Sequence, residues 1–160
     1  MRRAPHVMAV ASAGGHWVQL LRLRPAWKTC RVTYLTTEPK FRDVVTRLAA
    51  RDEEDVPGFH VVVEANRWQK LRLIRQLLGI FFVLLRTRPD VVISTGAAPG
   101  YFALRIGRFL GARTIWIDSM ANAEELSLSG QRIGPHADLW LTQWEHLAQP
   151  GGPHYLGSVL

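Results

Sequence analysis

The residues best suited to chemistry sit together early in the chain, in Val7-Met8-Ala9-Val10-Ala11-Ser12-Ala13-Gly14-Gly15-His16. An apolar run that closes on small residues, paired glycines and a histidine reads as a buried strand feeding a tight turn. Trp17, Leu20, Leu21 and Leu23 then recur at near-helical spacing, so the turn opens a helix. The first amide groups of a helix have no intrahelical partner and attract anions and polar ligand groups. Glycine, having no Cβ, lets the backbone turn sharply and lets a ligand approach those amides closely. Histidine is the side chain that exchanges protons near neutral pH, so His16 at such a turn is a candidate general base, with a purely structural histidine as the alternative.

A second glycine-bearing loop, Thr95-Gly96-Ala97-Ala98-Pro99-Gly100, follows the apolar run Asp90-Val91-Val92-Ile93-Ser94. Asp118, Glu124 and Glu125 are the remaining candidates, because a carboxylate takes up a proton or binds sugar hydroxyls; the two glutamates also read as ordinary loop acids. A nicotinamide dehydrogenase is a rival, since Glu38 follows the first loop by about twenty residues, where a ribose-binding acid belongs. That fingerprint needs three spaced glycines, and this loop offers an adjacent pair. No Gly-Lys-Ser or Gly-Lys-Thr phosphate loop, no cysteine-histidine metal spacing and no serine hydrolase elbow occurs.

The elements that must position these residues alternate. Strands are expected at about 6–12, at Arg31 to Thr36, at Phe59 to Glu64, at Asp90 to Ser94, at Thr114 to Ile117 and at Asp138 to Leu141. Helices are expected from the first turn to about Pro25, over 40–51, from Trp68 to Arg86, and from the second loop to about Leu110. Asp52 to Asp55 reads as a solvated acidic loop, 119–131 as polar and less regular, and Pro150-Gly151-Gly152-Pro153 as a bend before a last strand. This rhythm implies an α/β fold with a parallel, doubly wound sheet and helices on both faces. Ligands of such sheets bind outside the carboxyl ends of the strands. That rim collects Ser12 to His16, Thr36 to Glu38, Ser94 to Gly100 and Asp118-Ser119.

The 160 residues, 48% of them apolar, suffice for one domain spanning 1–160. A single cysteine, Cys30, excludes an internal disulfide and fits a reducing compartment. Arg2, Arg3 and Pro5 lead straight into a short strand, so no secretory signal is read and a cytoplasmic location is expected. Of the basic residues, nineteen lie in residues 1 to 114 against eight acids, and one lies in 115 to 160 against five. The positive face is therefore local, and suits nucleic acid, an anionic membrane or a phosphorylated substrate. The helix at about 67–88 carries Trp68, Phe81 and Phe82 among basic Lys70, Arg72, Arg75 and Arg86. Its uninterrupted apolar run, Leu77 to Leu85, is nine residues, far short of the roughly twenty that span a bilayer.

Taken together, Ser12-Ala13-Gly14-Gly15-His16 with Gln19-Leu20, Pro89-Asp90-Val91-Val92-Ile93-Ser94-Thr95-Gly96, Ile117-Asp118-Ser119, Leu126-Ser127-Leu128-Ser129-Gly130, Ala137-Asp138, Gln143-Trp144-Glu145 and Gly157-Ser158 form one ordered pattern. It resembles the membrane-associated subunit of the two-part UDP-N-acetylglucosamine transferase that extends dolichol-linked oligosaccharide. It resembles bacterial PssD-type polysaccharide glycosyltransferase subunits more closely, and the amino-terminal half of the transferase that forms peptidoglycan lipid II more distantly. The resemblance implies a Rossmann-like domain equivalent to the amino-terminal, acceptor-binding half of a GT-B glycosyltransferase. A separate subunit, a second Rossmann-like half, is then expected to bind the UDP-sugar donor. The acceptor is expected to be a polyprenyl-diphosphate-linked glycan in capsule or exopolysaccharide assembly, with no nucleic acid, no cofactor and no protein-bound metal.

Carried over by position, the resemblance makes His16 and Asp118 the catalytic candidates. Ser12, Gly14, Gly15, Thr95, Gly96, Ser119 and Glu125 become acceptor-binding candidates. The family often has Glu where this chain has Asp118, which shortens that carboxylate's reach. The basic helix gains a purpose, binding the anionic inner face of the cell membrane as a peripheral anchor through Trp68, Lys70, Arg72, Arg75, Phe81, Phe82 and Arg86; packing as a core helix is its alternative. Two further functional readings stand beside the transferase: a non-catalytic recruiter of the partner subunit, and an NAD(P)-dependent oxidoreductase.

Overall fold

The computed structural model describes residues 3–66 and 68–159. Seven strands form one sheet: β1 (His6–Val10), β2 (Arg31–Thr36), β3 (Gly58–Val61), β4 (Val91–Ser94), β5 (Arg113–Ile117), β6 (Leu139–Thr142) and β7 (His154–Tyr155), in the order β3-β2-β1-β4-β5-β6-β7. Every neighbouring pair is parallel. The order runs outward from β1 in one direction and then, from β4, in the other, which is the doubly wound topology expected from the alternation of elements.

Helices α1 (Gly15–Arg22) and α2 (Phe41–Arg51) cover one face, and α3 (Lys70–Thr87), α4 (Ala97–Phe109) and α5 (Leu128–Ile133) cover the other. Two apolar clusters record this. Val7, Ala9 and Ala11 pack with Trp17 and Leu20 of α1 and Val45 of α2. Met8 and Val10 pack with Ile80 and Leu84 of α3, Leu104 of α4 and Ile133 of α5. β1 is thus buried on both faces, which is why its sequence is continuously apolar instead of alternating.

Several local expectations are corrected by tertiary contacts. Pro99 and Gly100 lie inside the first turn of α4, where proline's missing N–H is no loss. A side chain at Gly100 would run into Ser94 Oγ. The polar stretch 119–131 ends in α5, whose N-cap Ser127 accepts a hydrogen bond from Gly130 N–H. The acidic run is a loop as expected, with Glu53 and Asp55 exposed, but Asp52 and Glu54 turn inward. Arg24, in a 3₁₀ turn at Arg24–Trp27, is nearly buried and donates to Asp52 at 2.9 Å and to Glu54 at 2.6 Å. A guanidinium taken out of water must be paired, and two residues of the run supply the charge.

The helix expected over about 67–88 runs from Lys70 to Thr87, and Arg67 lies outside the described residues. Its two faces differ. Gln76, Ile80 and Leu84, one turn apart, are fully buried against the sheet. Leu71, Ile74, Leu78, Phe82 and Leu85 form the opposite stripe and stay exposed, Leu71 at 79% and Phe82 at 62%. Apolar residues on both sides of one helix satisfy a core on only one of them. Replacing Leu84 by Ala should therefore cost about 2–5 kcal/mol, while Phe82→Ser changes stability by no more than about 0.5 kcal/mol. Urea unfolding of the two variants checks this; equal losses would place Phe82 in a core.

Candidate functional site

The crevice opens where the winding reverses, between the carboxyl ends of β1 and β4. Val10 of β1 stands opposite Ser94 of β4, so the chain leaves both strands at the same level. α1 departs over one face and α4 over the other, and the two glycine-bearing loops are left facing each other across the gap.

Gly14 precedes α1 with φ of 87°, a conformation that L side chains rarely adopt. Beside both Gly14 and Gly15 the space where a Cβ would stand is open to 4 Å. No side chain caps the start of α1, and its first turn carries no acidic residue. The N-terminal end of the helix favours negative charge. The loop is braced from the residue after β2, because Ala13 N–H donates to Thr37 Oγ1 at 3.2 Å. Ser12, half-buried, lies at the foot of the same loop.

His16 is locked to the second loop by two reciprocal bonds. Its Nδ1 lies 2.9 Å from the carbonyl oxygen of Thr95, and the buried Thr95 hydroxyl donates to the His16 carbonyl at 2.6 Å. A carbonyl oxygen only accepts, so Nδ1 carries a proton. Gly96, at φ 138°, lies beneath the ring, where a Cβ would stand 2.5 Å from ring atoms Nδ1 and Cε1. Gly96 N–H is in turn held by Ser94 Oγ at 3.1 Å. Ser12, Gly14, Gly15 and His16, noted from the sequence, are thus brought to one crevice, and Thr95 and Gly96, noted with them for acceptor binding, are buried behind the His16 ring.

Asp118 is not. Read from the sequence as a catalytic carboxylate, it is 1% exposed. Its Oδ2 accepts from Ser127 N–H at 2.8 Å, and its Oδ1 from Ser127 Oγ at 2.5 Å and from Trp116 Nε1 at 3.3 Å. With three donors filling it, the carboxylate holds the loop that leads to α5 and has no face toward the crevice. Ser119 is also buried, its hydroxyl accepting from Gln19 Nε2 at 2.9 Å and from Ala121 N–H at 3.2 Å. Glu125 is exposed on the same loop. Sequence spacing shows that a residue follows a strand; it does not show which way the side chain turns.

A broad cleft lies at the opposite, amino-terminal edge of β1 and β2, lined by His6, Arg24, Trp27, Tyr34 and Glu54. Two of its charged or titratable side chains are held by neighbours, Arg24 by Asp52 and Glu54, and His6 by Thr33 and Arg31. Burial first, and then the Arg31 guanidinium, lower the His6 pKa below its ordinary value and keep it neutral. Among the described residues no cluster of three His, Cys, Asp or Glu side chains is placed to hold a metal ion.

Of the helix residues noted for membrane contact, Trp68, Lys70, Arg72, Arg75, Phe82 and Arg86 are exposed and Phe81 is half-buried. The fold adds Phe109, 84% exposed, and Leu110, which share a groove with Leu85, Arg88 and Arg113. Sequence reading missed them; the available signal was an apolar pair at a helix end flanked by Arg108 and Arg113. No helix among the described residues is long and apolar enough to cross a membrane.

Residues 61–159 match the family described as "Oligosaccharide biosynthesis protein Alg14 like". The chain is 31% identical to the UDP-N-acetylglucosamine transferase subunit ALG14 of Eremothecium gossypii, over 90% of this chain and 75% of that protein. It is 26% identical to the subunit of the same name from Rattus norvegicus, over 99% of this chain and 85% of that one. Among solved structures, MurG of Acinetobacter baumannii superposes with a TM-score of 0.68 at 15% identity, over 94% of this chain and 47% of that one. The UDP-N-acetylglucosamine 2-epimerase of Rickettsia bellii does so with 0.66 at 14% identity, over 98% and 46%. The shared feature is the fold, that of one half of GT-B glycosyltransferases and their epimerase neighbours, and the chain spans just under half the length of both structures.

The locked tautomer is directly measurable. Nitrogen-15 NMR of the imidazole should show the Nδ1–H form of neutral His16 dominant. Gly96→Ala should abolish that dominance, because the methyl group occupies the ring's place, and should also destabilise the fold by about 1 kcal/mol or more. A His16 spectrum that Gly96→Ala leaves unchanged would refute the bracing.

Proposed function

The chain belongs to the Alg14 family, and from that premise we propose that it is the acceptor-binding half of a split GT-B glycosyltransferase. In this reading a partner subunit, the second Rossmann-like half, holds a UDP-sugar. The sugar passes to a polyprenyl-diphosphate-linked saccharide, in the assembly of a capsule or exopolysaccharide. The observation that carries the reading is the geometry of His16: an imidazole whose Nδ1–H is held by the Thr95 carbonyl, beside an open pair of glycines at a helix start.

Such a site divides the work. The acceptor hydroxyl must lose a proton as it attacks the anomeric carbon of the donor sugar, and the sugar's bond to the UDP phosphate breaks. His16 Nε2 takes that proton. Thr95 holds the ring in place and accepts the hydrogen bond that strengthens as the imidazolium forms, as a second partner does for any catalytic histidine. The α1 amides at Gly14 and Gly15 bind the acceptor diphosphate or the adjoining sugar, with Ser12 at the foot of the crevice, while the buried Thr95 and Gly96 act through the His16 ring that they hold. Asp118 serves as a positioning residue through Ser127, not as a proton carrier.

The exposed stripe of α3 and the Phe109 corner of α4 supply a membrane-facing surface, on the inner face of the cell membrane. Apolar side chains enter the headgroup region while Lys70, Arg72, Arg75, Arg86 and Arg88 meet anionic lipid; each basic residue contributes roughly 1 kcal/mol. A lipid-linked acceptor is confined to that surface, so docking there brings the crevice to its substrate.

Sugar transfer from UDP-sugars to extracted lipid acceptor tests the reading, with this chain, its partner and their mixture assayed separately. Activity is expected only in the mixture, and His16→Ala should lower turnover by about 10²–10⁴-fold while the complex still assembles. Activity of the partner alone would reduce this chain to a recruiter, and an unaffected His16→Ala variant would assign His16 to packing. For the surface, binding to vesicles containing anionic lipid should weaken severalfold in Phe82→Ser and fall with added salt. Binding that neither change alters would remove the membrane-facing assignment.

A further inference from the structure

Behind the rim lies a pair of buried amides. Gln19 of α1 and Gln143, the residue after β6, are 4% and 5% exposed. Gln143 Nε2 donates to Gln19 Oε1 at 2.7 Å and to the Asp118 carbonyl at 2.9 Å. Gln19 Oε1 also accepts from Met120 N–H at 3.1 Å, and Gln19 Nε2 donates to Ser119 Oγ at 2.9 Å. Gln143 Oε1 accepts from Val159 N–H at 3.0 Å. Both amides are oriented by main-chain groups: the Met120 N–H can face only an oxygen, and the Asp118 carbonyl only a nitrogen.

The pair joins three separate parts of the chain. α1 carries His16 one turn before Gln19. The segment starting at Asp118 forms the neighbouring rim. The stretch at Val159 is gripped a second time by α1, through Arg22, which donates to the Val159 carbonyl at 2.8 Å. No side chain of the proposed chemistry touches this network, yet among the described residues the direct hydrogen bonds from α1 to the 118–127 loop are those of Gln19, and the longer route from Arg22 through Val159 reaches the loop by way of Gln143.

We propose that Gln19 and Gln143 are positioning residues for the transfer reaction. They fix α1, and with it His16, at a set distance from the 118–127 loop, and they couple that spacing to the segment at Val159. The proposal rests on the transferase reading. Reacting groups displaced by about 1 Å lose on the order of 10²-fold in rate, so a buried brace one turn from the base has leverage.

Donor and acceptor roles give the two glutamines opposite tolerances. Glu at position 19 still accepts from Met120 N–H and Gln143 Nε2, and the Ser119 hydroxyl turns to donate to it. Glu at position 143 donates nothing when ionised and faces two acceptors, Gln19 Oε1 and the Asp118 carbonyl. Gln19→Met removes both roles at similar volume.

The test measures kcat and KM per folded complex with the partner, and amide hydrogen exchange of this chain alone. Gln19→Glu should stay within about twofold of the unmodified complex. Gln143→Glu should lower kcat about ten- to a hundredfold at unchanged donor KM, and recover as pH is lowered and the carboxyl regains a proton to donate. Gln19→Met should speed exchange at Val159 N–H, which Gln19 does not touch, as well as at Met120 N–H. Unchanged kcat in Gln143→Glu, a loss in Gln19→Glu equal to that in Gln143→Glu, or unaltered Val159 exchange in Gln19→Met would each overturn the proposal. A merely structural pair would shift melting temperature and leave kcat per folded complex alone. An inactive unmodified complex with the exchange coupling intact would overturn the transferase reading and leave the coupling standing; an active complex lacking it would overturn the positioning role alone.

Discussion

The imidazole of His16 and the carbonyl of Thr95 are 79 residues apart in sequence and 2.9 Å apart in space, and they meet because β1 and β4 are neighbours in the sheet. That adjacency is the point at which a doubly wound sheet reverses direction. The helices after the two strands must leave over opposite faces, so the space between their first turns cannot be filled by either. The crevice is a consequence of the winding, and the glycines are what allow the loops on its two sides to approach.

Each glycine at this point has its own constraint. Gly14 takes a positive φ with open space around it, so its lack of a side chain leaves room for a visitor. Gly96 also takes a positive φ, yet its missing side chain is replaced by the His16 ring itself. One glycine admits a ligand and the other admits the base. Exchanging these roles is impossible without rebuilding the hydrogen bonds between Thr95 and His16, which is why the reciprocal pair governs the geometry of everything else in the crevice.

The carboxylate and the long helix show how burial redistributes roles. Asp118 ends its strand pointing into the fold, where three donors hold it, and the loop it supports forms one wall of the rim. On α3 the inner residues Ile80 and Leu84 meet the sheet, while an equally apolar outer stripe faces away from it. Water does not stabilise such a stripe, and the family to which the chain belongs acts in oligosaccharide biosynthesis, so a lipid surface is its proposed neighbour.

The sequence by itself determined the parallel α/β architecture, the two glycine loops and the amphipathic character of α3. These depend on local rules: apolar period, the freedom of glycine, and the tendency of strands separated by helices to pair in parallel. Ser12, Gly14, Gly15, His16, Thr95 and Gly96 were legible for the same reason, since loops at strand carboxyl ends are collected on one rim by topology alone. Only the tertiary structure decided that Asp118 turns inward, that Asp52 and Glu54 neutralise Arg24, and that Phe109 joins the exposed stripe of α3. Those outcomes depend on partners distant along the chain and on the direction each side chain takes from its backbone. Residue spacing carries neither, because a strand or a helix of given period can seat the same side chain against solvent or against any donor the rest of the fold brings to it.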